Sequence, residues 1–80
     1  MPALPTPLAS LKPGDTATVC EIRIPAESRG RLLEMGLLVG TTVEVVRFAP
    51  LGDPVEIKVR GYHLTIRKHE AELILVRFGA

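Results

Sequence analysis

Apolar and polar residues alternate most regularly between positions 55 and 67. One alternating run extends from Val55 to Arg60, a second extends from Tyr62 to Arg67, and Gly61 lies between them. A period of two is typical of β-strands with one buried face, and a short glycine-containing connection is typical of a hairpin. This segment therefore predicts a β-hairpin with one polar face.

Three further segments predict strands, and the first of them is dense in β-branched residues. They are Thr16–Ile24, Thr42–Phe48 and Leu73–Phe78. The second of them is apolar on both faces, which indicates either a strand covered on both sides or one that contains a bulge. A short polar segment, Lys68–Glu72, predicts at most a single helical turn before the last strand.

The spacing of apolar residues becomes helical after the first long strand. Pro25 ends that strand and suits the first turn of a helix, so we expect a helix over Ala26–Met35. Gly36 follows as a natural C′ residue, and a Schellman end would fold Leu37 back onto Leu32. The sequence therefore predicts one short helix inserted after the first strand.

The first eleven residues contain three prolines, at positions 2, 5 and 7. Proline fixes φ and donates no hydrogen bond, so we expect an extended lead-in that is flexible over residues 1–8. The rest of the chain supplies five strands and one helix. Five short antiparallel strands bury their apolar faces best by curling into a small barrel, so residues 1–80 are expected to form a single, mainly β domain.

Composition and charge narrow the function. Hydrophobic residues make up 46% of the chain, and ten basic against nine acidic side chains give a net charge of +1. This balance excludes a typical nucleic-acid binder, which carries a basic stripe, and the few aromatic residues argue against stacking on RNA bases. There is also no polybasic cluster that would hold the chain on an anionic membrane.

The cysteine count and the hydropathy pattern bear on the compartment. Cys20 is the only cysteine, so an intramolecular disulfide is impossible and a reducing compartment is favoured. The first ten residues lack the features of a secretory signal. The most apolar region, Leu32–Phe48, is interrupted by glycine and glutamate and does not predict a transmembrane span. We therefore expect a cytoplasmic protein without direct membrane insertion.

A family resemblance rests on motifs that follow one another in a specific order. They are Met-Gly-Leu-Leu-Val-Gly at 35–40, Val43, Ala-Pro-Leu-Gly-Asp-Pro at 49–54, and then Gly61, Leu64, Arg67, Ala71, Ile74 and Val76. Together they resemble the pattern of the ferrous-iron transport protein A (FeoA) family, and the resemblance extends over roughly Leu8 to Phe78.

The resemblance implies a five-stranded SH3-like barrel in the cytoplasm. It also implies work alongside the ferrous-iron transporter FeoB, with the cytoplasmic GTP-binding domain of FeoB, or another cytoplasmic part of it, as the expected partner. Barrels of this kind also form the C-terminal domain of iron-dependent transcriptional repressors. The expected function is that of a non-enzymatic accessory protein for ferrous-iron uptake, which docks on FeoB and modulates its assembly or its GTPase-linked transport.

No set of residues predicts catalysis, a cofactor or a metal site. Cys20 with His63 or His69 as base would be the candidate nucleophile, but Cys20 shares its expected strand face with Ile22 and Ile24 and is better interpreted as a core residue. No phosphate-binding glycine motif is present. The two histidines and the nearby carboxylates form no close pair of metal-ligand type. They leave one alternative function, an intracellular iron(II)-binding sensor or carrier.

The candidate partner-binding residues are those that a small barrel does not need for its core. They are Arg29, Arg31, Met35, Leu37, Leu38 and Leu51. The helix and the turn after it carry more apolar side chains than one short helix requires, so either some of them form an exposed interaction patch or all complete the core. The two arginines either meet an acidic partner or are solvated. Leu51 would lie at the tip of the 49–54 loop.

Overall fold

The alternating run forms the expected hairpin. Strands β4 (Val55–Val59) and β5 (Tyr62–Ile66) pair antiparallel, with their adjoining ends directly opposite each other. The connection has two residues, Arg60 and Gly61, whose φ angles of +52° and +88° are the positive values that a type I′ turn requires. Arg60 therefore belongs to the turn and not to the strand in which the alternation placed it.

The computed structural model describes residues 4–78. The remaining elements are β1 (Thr6–Pro7), a 3-10 turn (Leu8–Ser10), β2 (Thr16–Ile22), α1 (Ala26–Glu34), β3 (Thr42–Phe48), α2 (Lys68–Ala71) and β6 (Ile74–Phe78). All paired strands are antiparallel and form one six-stranded sheet in the order β1-β6-β2-β3-β4-β5. The mainly β, SH3-like class with a short helix after the first long strand is thus confirmed.

The sheet differs from the predicted barrel in two respects. It has six strands where five were expected, and it is not closed by hydrogen bonds, because β1 and β5 lie at its opposite edges. The additional strand is β1, whose Thr6 lies opposite Val76 and whose Pro7 lies opposite Leu75. Leu8, next in the chain, is fully buried. The extended lead-in expected over residues 1–8 is therefore part of the packed domain from Thr6 onward, and Met1–Ala3 lie outside the described residues.

Both long central strands contain an irregularity. In β3 the pairing with β4 shifts between Val45 and Arg47, which confirms the bulge that its two apolar faces suggested. In β2 the pairing with β6 shifts between Val19 and Glu21. Cys20 lies within this second irregularity and is only half-buried, so the prediction that it belongs to the core is wrong.

The apolar core lies on one face of the sheet and is aliphatic throughout. Its buried members are Leu8, Leu11, Ala17, Val19, Ile24, Leu32, Leu37, Val43, Val45, Val55, Ile57, Val59, Leu64, Ile66, Ala71, Ile74 and Val76. They come from every long strand, from both helices and from the connections before β2, after β2 and before β3. The core therefore holds α1 in a fixed position relative to the hairpin.

Candidate functional site

The C-terminal end of α1 is a Schellman motif. The N–H of Leu37 donates to Leu32 O at 3.0 Å, and the N–H of Gly36 donates to Leu33 O at 3.0 Å. Gly36 has a φ of +90°, which only glycine adopts readily. The helix therefore ends where the sequence predicted, and the chain turns back so that Leu32 and Leu37 enter the core together.

Burial divides the apolar residues of this region into two groups. Leu37 has no exposed surface, so its assignment as a partner-binding residue is corrected: it is a core residue. Met35 is half-buried and packs against the core. Leu33 and Leu38 are each 41% exposed and Val39 is 63% exposed. We call Leu33, Leu38 and Val39 the helix–turn patch.

Two members of the helix–turn patch were missed as candidates. Leu33 precedes the turn and Val39 follows Leu38, and both expose a large part of their side chains. The signal was present in the helical period: Leu32 and Leu33 are adjacent and 100° apart around the axis, so Leu33 lies at the margin of a buried stripe that is centred on Leu32.

The two candidate arginines are both engaged within the fold. Arg29 donates from Nε and from one terminal nitrogen to Ile24 O, at 3.2 and 3.0 Å. This carbonyl lies between the end of β2 and the start of α1, so Arg29 stabilises the connection between them. Arg31 donates to both carboxylate oxygens of Glu70, at 3.1 and 2.9 Å. Neither arginine is simply solvated.

Glu70 is the centre of a small network between the two helices. It is 7% exposed, and besides binding Arg31 its Oε1 accepts the backbone N–H of Arg67 at 3.1 Å. The first turn of α2 is thus capped by its own side chain, while the same carboxylate holds α1. A carboxylate bonded in this way satisfies its acceptors despite burial.

The 49–54 loop is ordered by its own hydrogen bonds and by α2. The N–H of Ala49 donates to Pro54 O at 3.0 Å, and Asp53 Oδ1 accepts the N–H of Lys68 at 3.0 Å. Asp53 therefore caps the second helix and does not close its own turn. Leu51, at the tip of this loop, is 93% exposed, in agreement with its expected position.

A surface groove lies where α1, the loop and the end of the hairpin meet. Its volume is about 410 Å³, and it is lined by Arg31, Pro54, Thr65, Ile66 and Arg67. The fold thus brings Arg31 of the candidate set next to the 49–54 loop, although the two are far apart in sequence. No sequence pattern singled out the other lining residues.

The polar face of the sheet carries a charged cluster across three strands. Arg47 Nε donates to Glu56 Oε1 at 3.0 Å, and His63 Nδ1 lies 2.7 Å from Glu56 Oε2. The hydrogen bond with His63, followed by that with Arg47, lowers the pKa of Glu56 below its ordinary value of 4.5. The cluster is solvent-exposed and holds the three strands in register by cross-strand contacts.

Residues with metal-binding or nucleophilic chemistry stay dispersed. Within residues 4–78, no three His, Cys, Asp or Glu side chains lie close enough together to hold a metal ion. His63 is engaged with Glu56, and His69 is exposed on α2. Cys20 Sγ lies 3.4 Å from Leu75 O, to which it donates.

None of the helices described between residues 4 and 78 has the length and apolar character needed to cross a bilayer.

Comparison with known proteins places this geometry in a family. The FeoA domain model matches residues 6–78. A fusion protein of Porphyromonas gingivalis, described as Fe(2+) transport protein A/Fe(2+) transporter FeoB, is 38% identical over 69 residues. The match covers 86% of this chain but only 8% of the fusion protein, so the chain spans a small part of that relative.

Solved structures agree with the sequence match. The solution structure of the FeoA protein from Chlorobium tepidum is 44% identical, with a TM-score of 0.89, and the match covers 94% of this chain and 71% of that one. A manganese-dependent transcriptional repressor in complex with manganese shares the fold alone: it is 16% identical with a TM-score of 0.88, over 96% of this chain and 38% of the repressor. From the sequence match over nearly its whole length and the same arrangement of strands, the chain belongs to the FeoA domain family, whose role lies in ferrous iron transport.

Proposed function

We propose that this chain is a non-enzymatic, cytoplasmic accessory protein for ferrous-iron uptake, which docks on FeoB and modulates its assembly or its GTPase-linked transport. The observation that carries the proposal is the fusion relative, in which a segment similar to this chain and FeoB are parts of one polypeptide. Two domains joined in one organism are natural candidates for association when they are separate chains.

The helix–turn patch is the part of the surface best suited to docking. Leu33, Leu38 and Val39 expose apolar side-chain area within residues 33–39. The Schellman end of α1 fixes the backbone between Leu33 and Leu38. Exposed apolar patches on a rigid element are typical of protein interaction sites, because burying them on a partner releases water and orders little additional backbone. Arg31 and Leu51 lie outside this patch and would contact the partner at the rim of the interface.

Modulation of FeoB requires no chemistry from this chain. If the domain binds one conformation of FeoB more tightly than another, binding shifts the population toward that conformation. A tenfold difference in affinity between the two conformations corresponds to about 1.4 kcal/mol, which a few well-packed apolar contacts supply. The expected partner surface is the cytoplasmic GTP-binding domain.

An amide NMR titration tests this proposal. The ¹⁵N-labelled domain is titrated with the purified cytoplasmic GTP-binding domain of its own FeoB, with and without a GTP analogue. We expect shifts that centre on the helix–turn patch and on Leu51. Absence of shifts at partner concentrations of about 1 mM would overturn docking on that domain.

A pair of variants adds a control. Leu38→Asp should weaken docking at least about tenfold while the amide spectrum stays that of the folded domain. Leu4→Asp introduces the same charge at another exposed leucine, outside the patch, and should leave docking unchanged. Equal effects of the two variants would contradict the assignment of the patch.

A further inference from the structure

The two edges of the sheet differ in their protection against strand addition. β1 has only two residues, and one of them, Pro7, has no N–H. β5 has five residues and no proline. Short edge strands and proline are the usual means by which sheets resist pairing with a further strand. β5 is thus the edge of this sheet that remains available to another chain.

The register of the hairpin shows which backbone groups of β5 face outward. In a hairpin with a two-residue connection the flanking residues, here Val59 and Tyr62, form a hydrogen-bonded pair, and the pairs then alternate along the strands. The N–H and C=O groups of His63 and Thr65 consequently point away from β4. Within residues 4–78 neither residue forms a backbone hydrogen bond to a turn or another element. Two donors and two acceptors are presented at the spacing of a strand.

The groove described above lies beside the C-terminal half of this edge. Thr65, Ile66 and Arg67 form one wall, and Arg31 and Pro54 complete the lining. Glu70 binds a single terminal nitrogen of Arg31, so the rest of that guanidinium remains available. The guanidinium of Arg67 takes part in no salt bridge within the described chain. The groove thus offers a positive charge next to unpaired strand groups.

We propose that β5 binds an extended, acidic peptide segment of another protein, which adds as a strand along His63–Thr65 and places a carboxylate against Arg67 and Arg31. Backbone hydrogen bonds of this kind supply affinity without sequence preference. The arginines supply the preference for acidic side chains, because charge-assisted hydrogen bonds to a carboxylate are stronger than neutral ones.

Charge favours an acidic chain over a second copy of this protein as the occupant. Residues 62–68 include His63, Arg67 and Lys68 but no acidic residue, so the β5 strand of a second copy has no carboxylate to offer. The proposed site leaves the apolar helix–turn patch free and shares only Arg31 with the rim proposed for docking on FeoB. It stands independently of docking on FeoB.

A peptide titration tests the proposal. The probe is a decapeptide of alternating Val and Glu, and its control is the same peptide with Lys in place of Glu. We expect the Glu peptide to shift the amide signals of His63 and Thr65 and the side-chain Nε signal of Arg67, and to bind at least about tenfold more tightly than the Lys peptide. Absence of those shifts at about 1 mM Glu peptide, or equal binding of both peptides, would overturn it. Shifts of the same amides on raising the protein concentration alone would identify a second copy as the occupant and also overturn it.

Variants in and next to β5 distinguish a peptide that adds as a strand from one that only adheres to the charged surface. Thr65→Pro removes an outward N–H without removing a hydrogen bond to β4, and should weaken the Glu peptide at least about tenfold. Thr65→Val retains that N–H and should bind as the unmodified domain does. Arg67→Gln should weaken the Glu peptide about tenfold and leave the Lys peptide unchanged.

A modified peptide covers the case in which Thr65→Pro does not fold. N-methylation of the Glu peptide at alternate residues blocks one of its two backbone edges at a time. One of the two methylated peptides should lose binding to the unmodified domain, while the other keeps it. Equal retention by both would show that no strand is added and would overturn the proposal.

Discussion

The hydroxyl of Tyr62 lies against the backbone of Gly36. A β-carbon at position 36 would come within 2.8 Å of Tyr62 Oη, which is closer than such atoms approach in folded proteins. This contact joins the first residue of β5 to the end of α1. Position 36 therefore carries two requirements of unequal weight: a positive φ, which the backbone imposes, and room for the hydroxyl of Tyr62, which lies at the far end of an exposed side chain and can shift.

Replacing Gly36 tests both requirements. Gly36→Ala should lower the free energy of unfolding by about 1–2 kcal/mol, because a β-carbon is strained at a φ of +90°. Urea denaturation followed by circular dichroism measures the change. Adding Tyr62→Phe removes the hydroxyl, so the double variant should recover any part of the loss that comes from the contact.

Gly30 is the matched control. It lies inside α1, has no heavy atom within 4 Å of the position of a β-carbon, and lacks a positive φ. Gly30→Ala should raise the free energy of unfolding by about 1 kcal/mol, the difference in helix propensity. A Gly36→Ala variant as stable as Gly30→Ala would contradict the Schellman geometry.

Truncation of the adjacent residues Leu37 and Leu38 to alanine should lower the free energy of unfolding by very different amounts. Leu37 is fully buried, so Leu37→Ala should cost about 2–5 kcal/mol through lost burial and the cavity left behind. Leu38 is 41% exposed, and Leu38→Ala should cost less than about 1 kcal/mol. Thermal and urea denaturation of both variants check this, and comparable losses would show that Leu38 also belongs to the core.

The carboxylate of Glu70 should contribute to stability through its three hydrogen bonds. Glu70→Ala leaves the N–H of Arg67 without its acceptor and Arg31 without its partner, so a loss of about 1–3 kcal/mol is expected. Glu70→Gln retains one oxygen acceptor and should lose less. Equal losses in the two variants would contradict this account, because they would show that the oxygen acceptor and the side-chain volume retained in Gln contribute nothing and that the negative charge accounts for the whole effect.

The depressed pKa of Glu56 predicts a pH dependence of stability. Because its folded-state pKa lies below the ordinary value of 4.5, the ionised carboxylate stabilises the fold above that pH, and this contribution is lost as the pH falls through the folded-state pKa. His63→Ala should raise the pKa of Glu56 more than Arg47→Ala does, because the hydrogen bond with His63 is the largest cause. Carboxylate ¹³C titration by NMR measures both, and an unchanged pKa in His63→Ala would contradict the assignment.

Local sequence patterns were sufficient to predict the elements that are determined by neighbouring residues. The hairpin follows from strict alternation around Gly61, and the helix end follows from Gly36 placed before an apolar residue. The strand β1 was missed because its pairing joins Thr6 to Val76 across nearly the whole chain. A proline-rich segment of two paired residues carries no periodicity, so only the tertiary fold identifies it as a strand.

The errors at Cys20 and Leu37 have separate physical causes. A bulge in β2 interrupts the alternation between Val19 and Glu21, and a period of two cannot place the residue inside a bulge. The sequence does not show how many apolar side chains the core can accommodate, so it does not decide whether Leu37 is buried or exposed. The groove beside β5 was not predictable, since it combines α1, a loop and a strand end that meet only in three dimensions.

The pairing of Thr6 with Val76 also concerns protein engineering. Directly opposed residues of an antiparallel pair lie only about 5 Å apart, so the two ends of the packed domain are neighbours. A short linker would join them, and the exposed tip at Leu51 offers a site for new termini. The domain is therefore suited to circular permutation at that loop. For the same reason it is suited to insertion into a surface loop of a host protein, with both points of attachment next to β1 and β6 and none on β5.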